Sequence, residues 1–459
     1  MVQYVRFNII YFLEVYVMNE NKKLAIRMLV AMVLGIACGL GFMAYREAVG
    51  ANSAAWHTIN NLLFQDITAK GANSALGLFY IGGQLFIRSL QLIIVPMVFS
   101  SIVVAICEIK EATTLGRLSA KTIGWFMLTS IAALILAVMV GAVCYNAGMF
   151  NSAVQGLAAS TGKTGSNPLN VILNIIPFNV TAVFAVNNAV LSVVFVAVVV
   201  GLSMNKLGYE KDSAMYKLCT EISAIIVTAL NYVVIKFGPI AIFMLLCRTF
   251  AIYGIGYLKP AMAYVVVCVL LLLFYLFVGY PLILALGSKL NAITFIKKIF
   301  KVVVFGFSTS SSAATLPLNI KTNVDELGVD KKIASFVLPL GMTINMDGTA
   351  IMQVIATFFI AGCAGFEVNA IQMIAIMMLA LIASAGTPAA PGAGAVILFT
   401  ILSGVGFVNE AALIAYSLIL AINRPIEMLV TALNCVGDSV AAIAVSKSEG
   451  KLDENIFNS

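Results

Sequence analysis

Six polar residues stand where the surrounding sequence is apolar. "TINMDGTAIMQ" (343–353) sets Asn345 and Asp347 between Leu338, Leu340 and Met342 on one side and Ile355, Phe358 and Ile360 on the other. "NRPIEMLVTALNCVGDSVAAIAV" (423–445) adds Glu427, Thr431, Asn434 and Asp438. With Glu427 at zero and about 100° per residue, Thr431 falls at about 40°, Asn434 at about −20° and Asp438 at about 20°, one stripe of a helix. Carboxylate and amide oxygens of this kind build cages for hard cations. An unwound turn at "NMDG", eased by Gly348, would add free backbone carbonyls. Ionised carboxylates away from water need cationic partners, and neither segment contains a lysine. Bound metal cations are the natural partners, and protonation is the competing answer. A hydrogen-bonding seam between helices is the other use of such a stripe. Three carboxylates in two apolar segments favour an ion or substrate pathway. Arg424 precedes Glu427 by three residues and is followed by Pro425, which disfavours a helical conformation at Arg424. Pairing with Glu427, binding a substrate carboxylate and marking the helix end all remain open for it.

These residues need apolar elements to carry them, and the composition supplies them. The chain has 459 residues, 61% hydrophobic and 10% charged. Soluble domains carry about 25% charged residues, so this is a membrane protein by composition. The formal charge of +7 is spread through short loops without a basic tract, which argues against nucleic acid. The eight cysteines form no C-x-x-C pair and lie mostly in apolar runs, as small hydrophobes in packed helices do. The lone His57 lies in a polar loop. No G-x-x-x-x-G-K-[ST] stretch and no nucleophile–base spacing is present, so neither an ATPase nor an intramembrane enzyme is expected. "RFNIIYFLEVYV" (6–17) is short, interrupted by Glu14 and followed by "MNENKK", with Met18 as a second possible start. It lacks the small-residue site of a cleaved leader, so 1–20 is read as an extension without an assigned role.

Eight apolar stretches are long enough to span, roughly 24–45, 77–106, 122–147, 170–203, 218–250, 260–287, 333–361 and 410–445. Pro177 in the fourth and Gly238–Pro239 in the fifth predict kinks. Lysine and arginine set the orientation. They gather before span one (Lys22, Lys23, Arg27), after span two (Lys110, Arg117, Lys121), after span four (Lys206, Lys211, Lys217) and after span six (Lys289, Lys297, Lys298, Lys301). The alternate loops hold only Arg46, Lys70, Lys163 and Lys259. Two further apolar stretches break the alternation. Residues 302–320 are followed by Lys321, Lys331 and Lys332, so both flanks read as cytoplasmic; residues 371–402 have no basic residue on either flank. Their centres, "STSSSAATLP" and "AGTPAAPGAG", break helices and free backbone groups that lipid cannot satisfy. The simplest topology makes each a re-entrant hairpin, one from each side, with their tips meeting near the midplane.

Four ordered motifs carry a resemblance: "STSSSAATLP", "GMTINMDGTA", "AGTPAAPGAGA" and "TALNCVGD", with "IIVPMVFSSIV" (93–103) also fitting. Together they are similar to the dicarboxylate/amino acid:cation symporters, the glutamate-transporter superfamily, over about residues 22–450. The fold class expected is an all-α membrane protein of eight transmembrane helices and two re-entrant helical hairpins, with inverted repeats and separate scaffold and transport domains. The expected organisation is the extension over 1–20, scaffold spans one and two over 21–120, transport span three over 121–150 and scaffold spans four and five over 168–255. Transport span six follows over 258–290, the first hairpin over 291–325, a broken span seven over 331–362, the second hairpin over 369–406, span eight over 408–447 and a cytoplasmic tail over 448–459.

The resemblance further implies a homotrimer in the inner membrane, both termini cytoplasmic, working as an elevator with Na+ as coupling ion and no organic cofactor. One Na+ would sit at the Gly341, Asn345 and Asn434 backbone with the Asp438 carboxylate. A second would use Thr129, Ser130, Asn345 and Asp347, since "WFMLTS" (125–130) matches the third-span segment. A third would lie near Thr343, Ser384 and Thr387. Substrate would contact Ser311, Ser312, Thr349, the backbone from Ala390 to Gly394, Glu427, Val430, Thr431 and Asn434. Acidic amino-acid carriers of the family place arginine where this chain has Val430, or in the first hairpin where it has Ser310. A second substrate carboxylate thus loses its usual partner, which points to a small neutral amino acid such as alanine, serine or threonine. The alternatives are an acidic amino acid or C4-dicarboxylate held by Arg424, proton coupling, or a passive channel.

Overall fold

The computed structural model describes residues 2–68, 72, 74–114, 117–151, 176–185, 190–208, 212–387 and 392–459. Among them every regular element is helical. α1 (Val2–Val49) runs unbroken, since no glycine or proline occurs before Gly35, and so passes straight through residues 2–20. α2 (Ala54–Ile59) is short and capped by the Ser53 hydroxyl. α3 (Leu78–Leu92) and α4 (Ile94–Thr114) form the second expected span, jointed at Ile93. Pro96 has no N–H for the Leu92 carbonyl, which accounts for the joint. α5 (Arg117–Asn146) is the third.

The fourth span differs from expectation. Its described parts are α6 (Val180–Phe184), capped by Asn179, and α7 (Val190–Lys206). Pro177 stands in the irregular stretch before the Asn179 cap, and 170–175 lie outside the described residues. α8 (Ala214–Tyr232) and α9 (Gly238–Tyr253) are joined through a π turn over 233–237. The irregularity expected at Gly238–Pro239 takes this form: without a proline N–H the chain makes one wider turn. The same device, not anticipated, joins α10 (Leu258–Phe274) to α11 (Tyr280–Ser288) just before Pro281.

α12 (Ala292–Thr309) and α13 (Ser312–Asp325) pack as a hairpin. They turn at Ser310, whose φ of 49° is left-handed, and at Ser311, whose Oγ accepts from the Ala314 N–H at 3.3 Å to start α13. α14 (Lys331–Ile344) and α15 (Asp347–Ala364) are the two halves of the broken span seven. α16 (Ala370–Ala385) and α17 (Ala393–Val405) pack as the second hairpin, with 388–391 of its tip outside the described residues.

The single span expected over 408–447 is two helices, α18 (Glu410–Ile422) and α19 (Arg424–Ser448), separated at Asn423. Pro425 lies in the first turn of α19, where no N–H is needed. Arg424 is therefore helical, against the expectation drawn from its proline neighbour. α20 (Glu454–Asn458) closes the chain by burying Phe457 and through the Asp453 N–H, which donates to Gly328 O at 2.8 Å.

Seven described helical segments are long and apolar enough to cross a membrane, and the fourth expected span is represented by the shorter Ser192–Lys206. Packing sorts the helices into two sets. α1 and α3 pack on α9, while α4 packs on α7 and α8. Separately, α5, α10 and α11, both hairpins, and α14 and α15 gather around one another and around α19. The apolar window of Lys331–Ala364 is 94% buried within the protein and that of Arg424–Ser448 89%, against 22% for Ile26–Val49. The two segments that carry the polar motifs are thus the most enclosed ones, wrapped by protein rather than presented to lipid.

Candidate functional site

The site starts from the failure of "NMDG" to continue a helix. α14 stops at Ile344, and Asn345 (φ −93°, ψ 82°) and Met346 (φ −112°, ψ 50°) leave helical geometry before α15 restarts at Asp347. This break is the one expected from the sequence. It turns Asn345 and Asp347 toward two other helices. Asn345 Nδ2 donates to Asp438 Oδ1 at 3.2 Å on α19, and Asn345 Oδ1 accepts from Thr129 Oγ1 at 3.2 Å on α5. Ser130 Oγ donates to Asp347 Oδ1, and the Tyr280 hydroxyl donates to Asp347 Oδ2 at 2.9 Å. Tyr275 donates to the Thr129 carbonyl at 2.6 Å and so fixes the same turn of α5. Gly341 faces the Asp438 carboxylate so closely that a Cβ would collide with Oδ1.

Asp347 is fully buried and Asp438 is 3% exposed. Among the described residues no basic side chain acts on either. Carboxylate, amide, hydroxyl and freed carbonyl oxygens without a protein counter-charge form the donor set that hard cations take. Thr129, Ser130, Gly341, Asn345, Asp347 and Asp438 are thus placed together. The hydroxyls of Thr343, Ser384 and Thr387 donate to the carbonyls of Leu340, Leu381 and Ala383.

One turn along α19 the chemistry changes. Asn434 Oδ1 accepts the Gly348 N–H at 2.8 Å, while its Nδ2 reaches Thr349 Oγ1 at 3.2 Å and Met346 Sδ at 3.1 Å. Above it lies a small cavity of about 40 Å³ between the ends of the hairpin helices and α19. It is lined by Ser310, Ser312, Met346, Thr349, Met352, Thr387, Gly392, Gly394, Arg424, Glu427, Val430, Thr431 and Asn434. Glu427 is 8% exposed; Asn423 Nδ2 donates to its Oε1 and Arg424 Nη1 faces its Oε2, each at 3.5 Å. Asn423 is itself held by the Tyr264 hydroxyl, which donates to Oδ1 at 2.6 Å.

Ser311 is not among the residues lining the cavity, and its hydroxyl accepts the Ala314 N–H at the start of α13. Ala390 lies outside the described residues. Sequence reasoning missed Tyr280 and Tyr275, whose signal was a pair of hydroxyls inside the apolar run "YLFVGYPLIL" (275–284), each needing a partner. It also missed Met346 and Met352, which carry no sequence signal distinguishing them from core methionines.

The profile of the sodium:dicarboxylate symporter family matches residues 24–448. The chain is 28% identical over 444 residues to the proton/glutamate-aspartate symporter of Escherichia coli, covering 95% of each protein. It is 28% identical over 382 residues to the proton/sodium-glutamate symport protein of Bacillus caldotenax, covering 81% of this chain and 88% of the relative. It is 29% identical over 416 residues to the C4-dicarboxylate transport protein of Polynucleobacter asymbioticus, covering 86% and 90%. With its enclosed oxygen cluster and adjoining cavity, the chain is a multi-pass membrane symporter rather than an enzyme, and it belongs to the sodium:dicarboxylate symporter family.

Proposed function

We propose that this symporter moves a small amino acid across the cell membrane together with Na+. One observation carries the reading. Two enclosed carboxylates, Asp347 and Asp438, are linked through Asn345 and have no basic partner among the described residues. Desolvated unpaired charges are costly, so a cation that enters with substrate and leaves with it satisfies both. Asn434 couples the two regions, because its amide touches Gly348 and Thr349 beside the cation cluster while its edge lines the cavity. In the cavity, Glu427 offers the charge for an ammonium group. Ser312, Thr349 and Asn434 offer neutral donors for an α-carboxylate. The set α1, α3, α4, α7, α8 and α9 serves as the fixed scaffold of a homotrimer, and the set around α19 moves as the transport domain.

Proton coupling is the second reading, favoured by the similarity to the proton/glutamate-aspartate symporter of Escherichia coli and by carboxylates that can take a proton instead of a metal cation. Thermal unfolding of the purified protein in NaCl against choline chloride separates the two. Na+ coupling raises the midpoint in NaCl for the wild type and leaves Asp438→Asn unmoved. A wild-type midpoint indifferent to Na+ but dependent on pH contradicts it.

A further inference from the structure

We propose that Asn319, on the first hairpin, is a positioning residue for the cation site and works through one turn of α19. The inference rests on the Asn345–Asp347–Asp438 cluster being that site. Asn319 is buried on α13 and grips α19 with both ends of its amide. Its Nδ2 donates to Cys435 O at 2.9 Å, and its Oδ1 accepts from Ser439 Oγ at 2.7 Å. Asn323, one turn further along α13, donates from Nδ2 to Asn319 Oδ1 and to Ser439 Oγ, each at 2.9 Å. Asn323 and Ser439 are both fully buried.

Cys435 and Ser439 directly follow Asn434 and Asp438 in the chain. Successive residues of a helix stand about 100° apart, so the two pairs occupy adjoining faces of one turn. On the first face Asn434 meets Gly348 and Thr349, and Asp438 meets Asn345. On the second, Cys435 and Ser439 meet Asn319. A rotation of α19 that loosens the second face therefore also turns the Asp438 carboxylate away from Asn345. Gly341, packed against Asp438 Oδ1, leaves that carboxylate little room to compensate. Stability alone is a weak reason for such a seam. Its hydrogen bonds largely offset the cost of taking three polar side chains out of water, and Asn323 Oδ1 has no partner among the described residues. What the bonds supply is direction, fixing the rotation of α19 more sharply than apolar packing does. The same helix also reaches the cavity. Ser312, about two turns before Asn319 and on the same face, lines it. The element that meets substrate thus also sets the turn that carries Asp438.

The test is a Na+ titration of thermal unfolding for wild type, Ser439→Ala, Asn319→Leu and Ser446→Ala. Ser439→Ala removes only one hydroxyl, whereas Asn319→Leu removes both grips. Each is expected to raise the half-saturating Na+ concentration at least threefold. In uptake driven by a Na+ gradient, each is expected to raise the KM for Na+ by more than it lowers kcat. Ser446→Ala is the control: its hydroxyl, two turns further along α19, accepts the Asp330 N–H at 3.3 Å, and the variant is expected to keep the wild-type Na+ response. An unchanged half-saturating Na+ concentration in Ser439→Ala, whether or not Asn319→Leu folds, marks the seam as structural and overturns the assignment. An equal rise in Ser446→Ala overturns it too. A wild type that does not respond to Na+ overturns instead the reading of the cluster as a Na+ site, and this inference with it.

Discussion

Asn345 Nδ2 donates to Asp438 Oδ1 at 3.2 Å, and this bond ties the unwound break of one enclosed segment to the middle of another. The same amide accepts from Thr129 on α5 through its other edge. Three elements distant in sequence are thus held around one cluster of oxygens by a residue that carries no charge.

Removing charge from that cluster has opposite effects on stability and transport. Asp347→Asn keeps the shape of the side chain and deletes a buried charge without a basic partner. In Na+-free buffer the variant is expected to unfold at or above the wild-type temperature, because an uncompensated charge has been removed. Its cation-driven uptake is expected to fall at least tenfold. Calorimetry without Na+, paired with uptake assays, reads both; a strongly destabilised variant with normal uptake is the contrary result.

Gly341 is required by space rather than by backbone geometry. A Cβ there collides with Asp438 Oδ1 and crowds the Phe126 ring at 3.1 Å. Gly341→Ala is expected to cost about 1–3 kcal/mol, the usual range for overpacking. It is also expected to weaken the Na+-induced thermal shift by displacing the carboxylate. A denaturant titration with and without Na+ measures both, and an alanine variant matching wild type in each contradicts the close approach.

The Tyr280 hydroxyl holds the Asp347 carboxylate at 2.9 Å. Tyr280→Phe leaves a buried charged acceptor one bond short, at an expected cost of about 1–3 kcal/mol. Saturating Na+ is expected to restore part of that loss, since a cation compensates the same carboxylate. Equal losses with and without Na+ would separate Tyr280 from the cation cluster.

Outside the membrane-spanning part, Glu449 joins Lys121 at 2.7 Å and Arg117 at 2.8 Å, linking the end of α19 to the start of α5. The hydrogen bonds from Lys121 and Arg117 hold its carboxyl down at about 2, below the ordinary 4.5. A depressed acid contributes its stability above its ordinary value and loses it as pH falls toward the depressed one. Wild type is therefore expected to unfold at a higher temperature than Glu449→Gln by a constant, small margin from pH 5 to 8, narrowing toward pH 2. A margin that widens on acidification contradicts the pairing.

The polar stripe of α19, the break at "NMDG" and the two hairpins were legible because each sets polar or helix-breaking residues against a long apolar background. Asn345 and Asp347 announce themselves at sequence range, and so does the serine turn at 310–311. What was not legible depends on partners far away in the chain. The tyrosine that holds Asp347 lies 67 residues upstream. The separation of α18 from α19 at Asn423 was hidden because Pro425, placed in a first helical turn, starts a helix as readily as it bends one.

Uptake of a labelled amino acid into proteoliposomes under an imposed Na+ gradient tests the central claim most directly. Accumulation above the outside concentration is expected when Na+ is high outside. It should collapse when choline replaces Na+ and should be absent in Asp438→Asn. Accumulation that persists without Na+, or in Asp438→Asn, would contradict the assignment of the Asn345–Asp347–Asp438 cluster as the coupling-cation site.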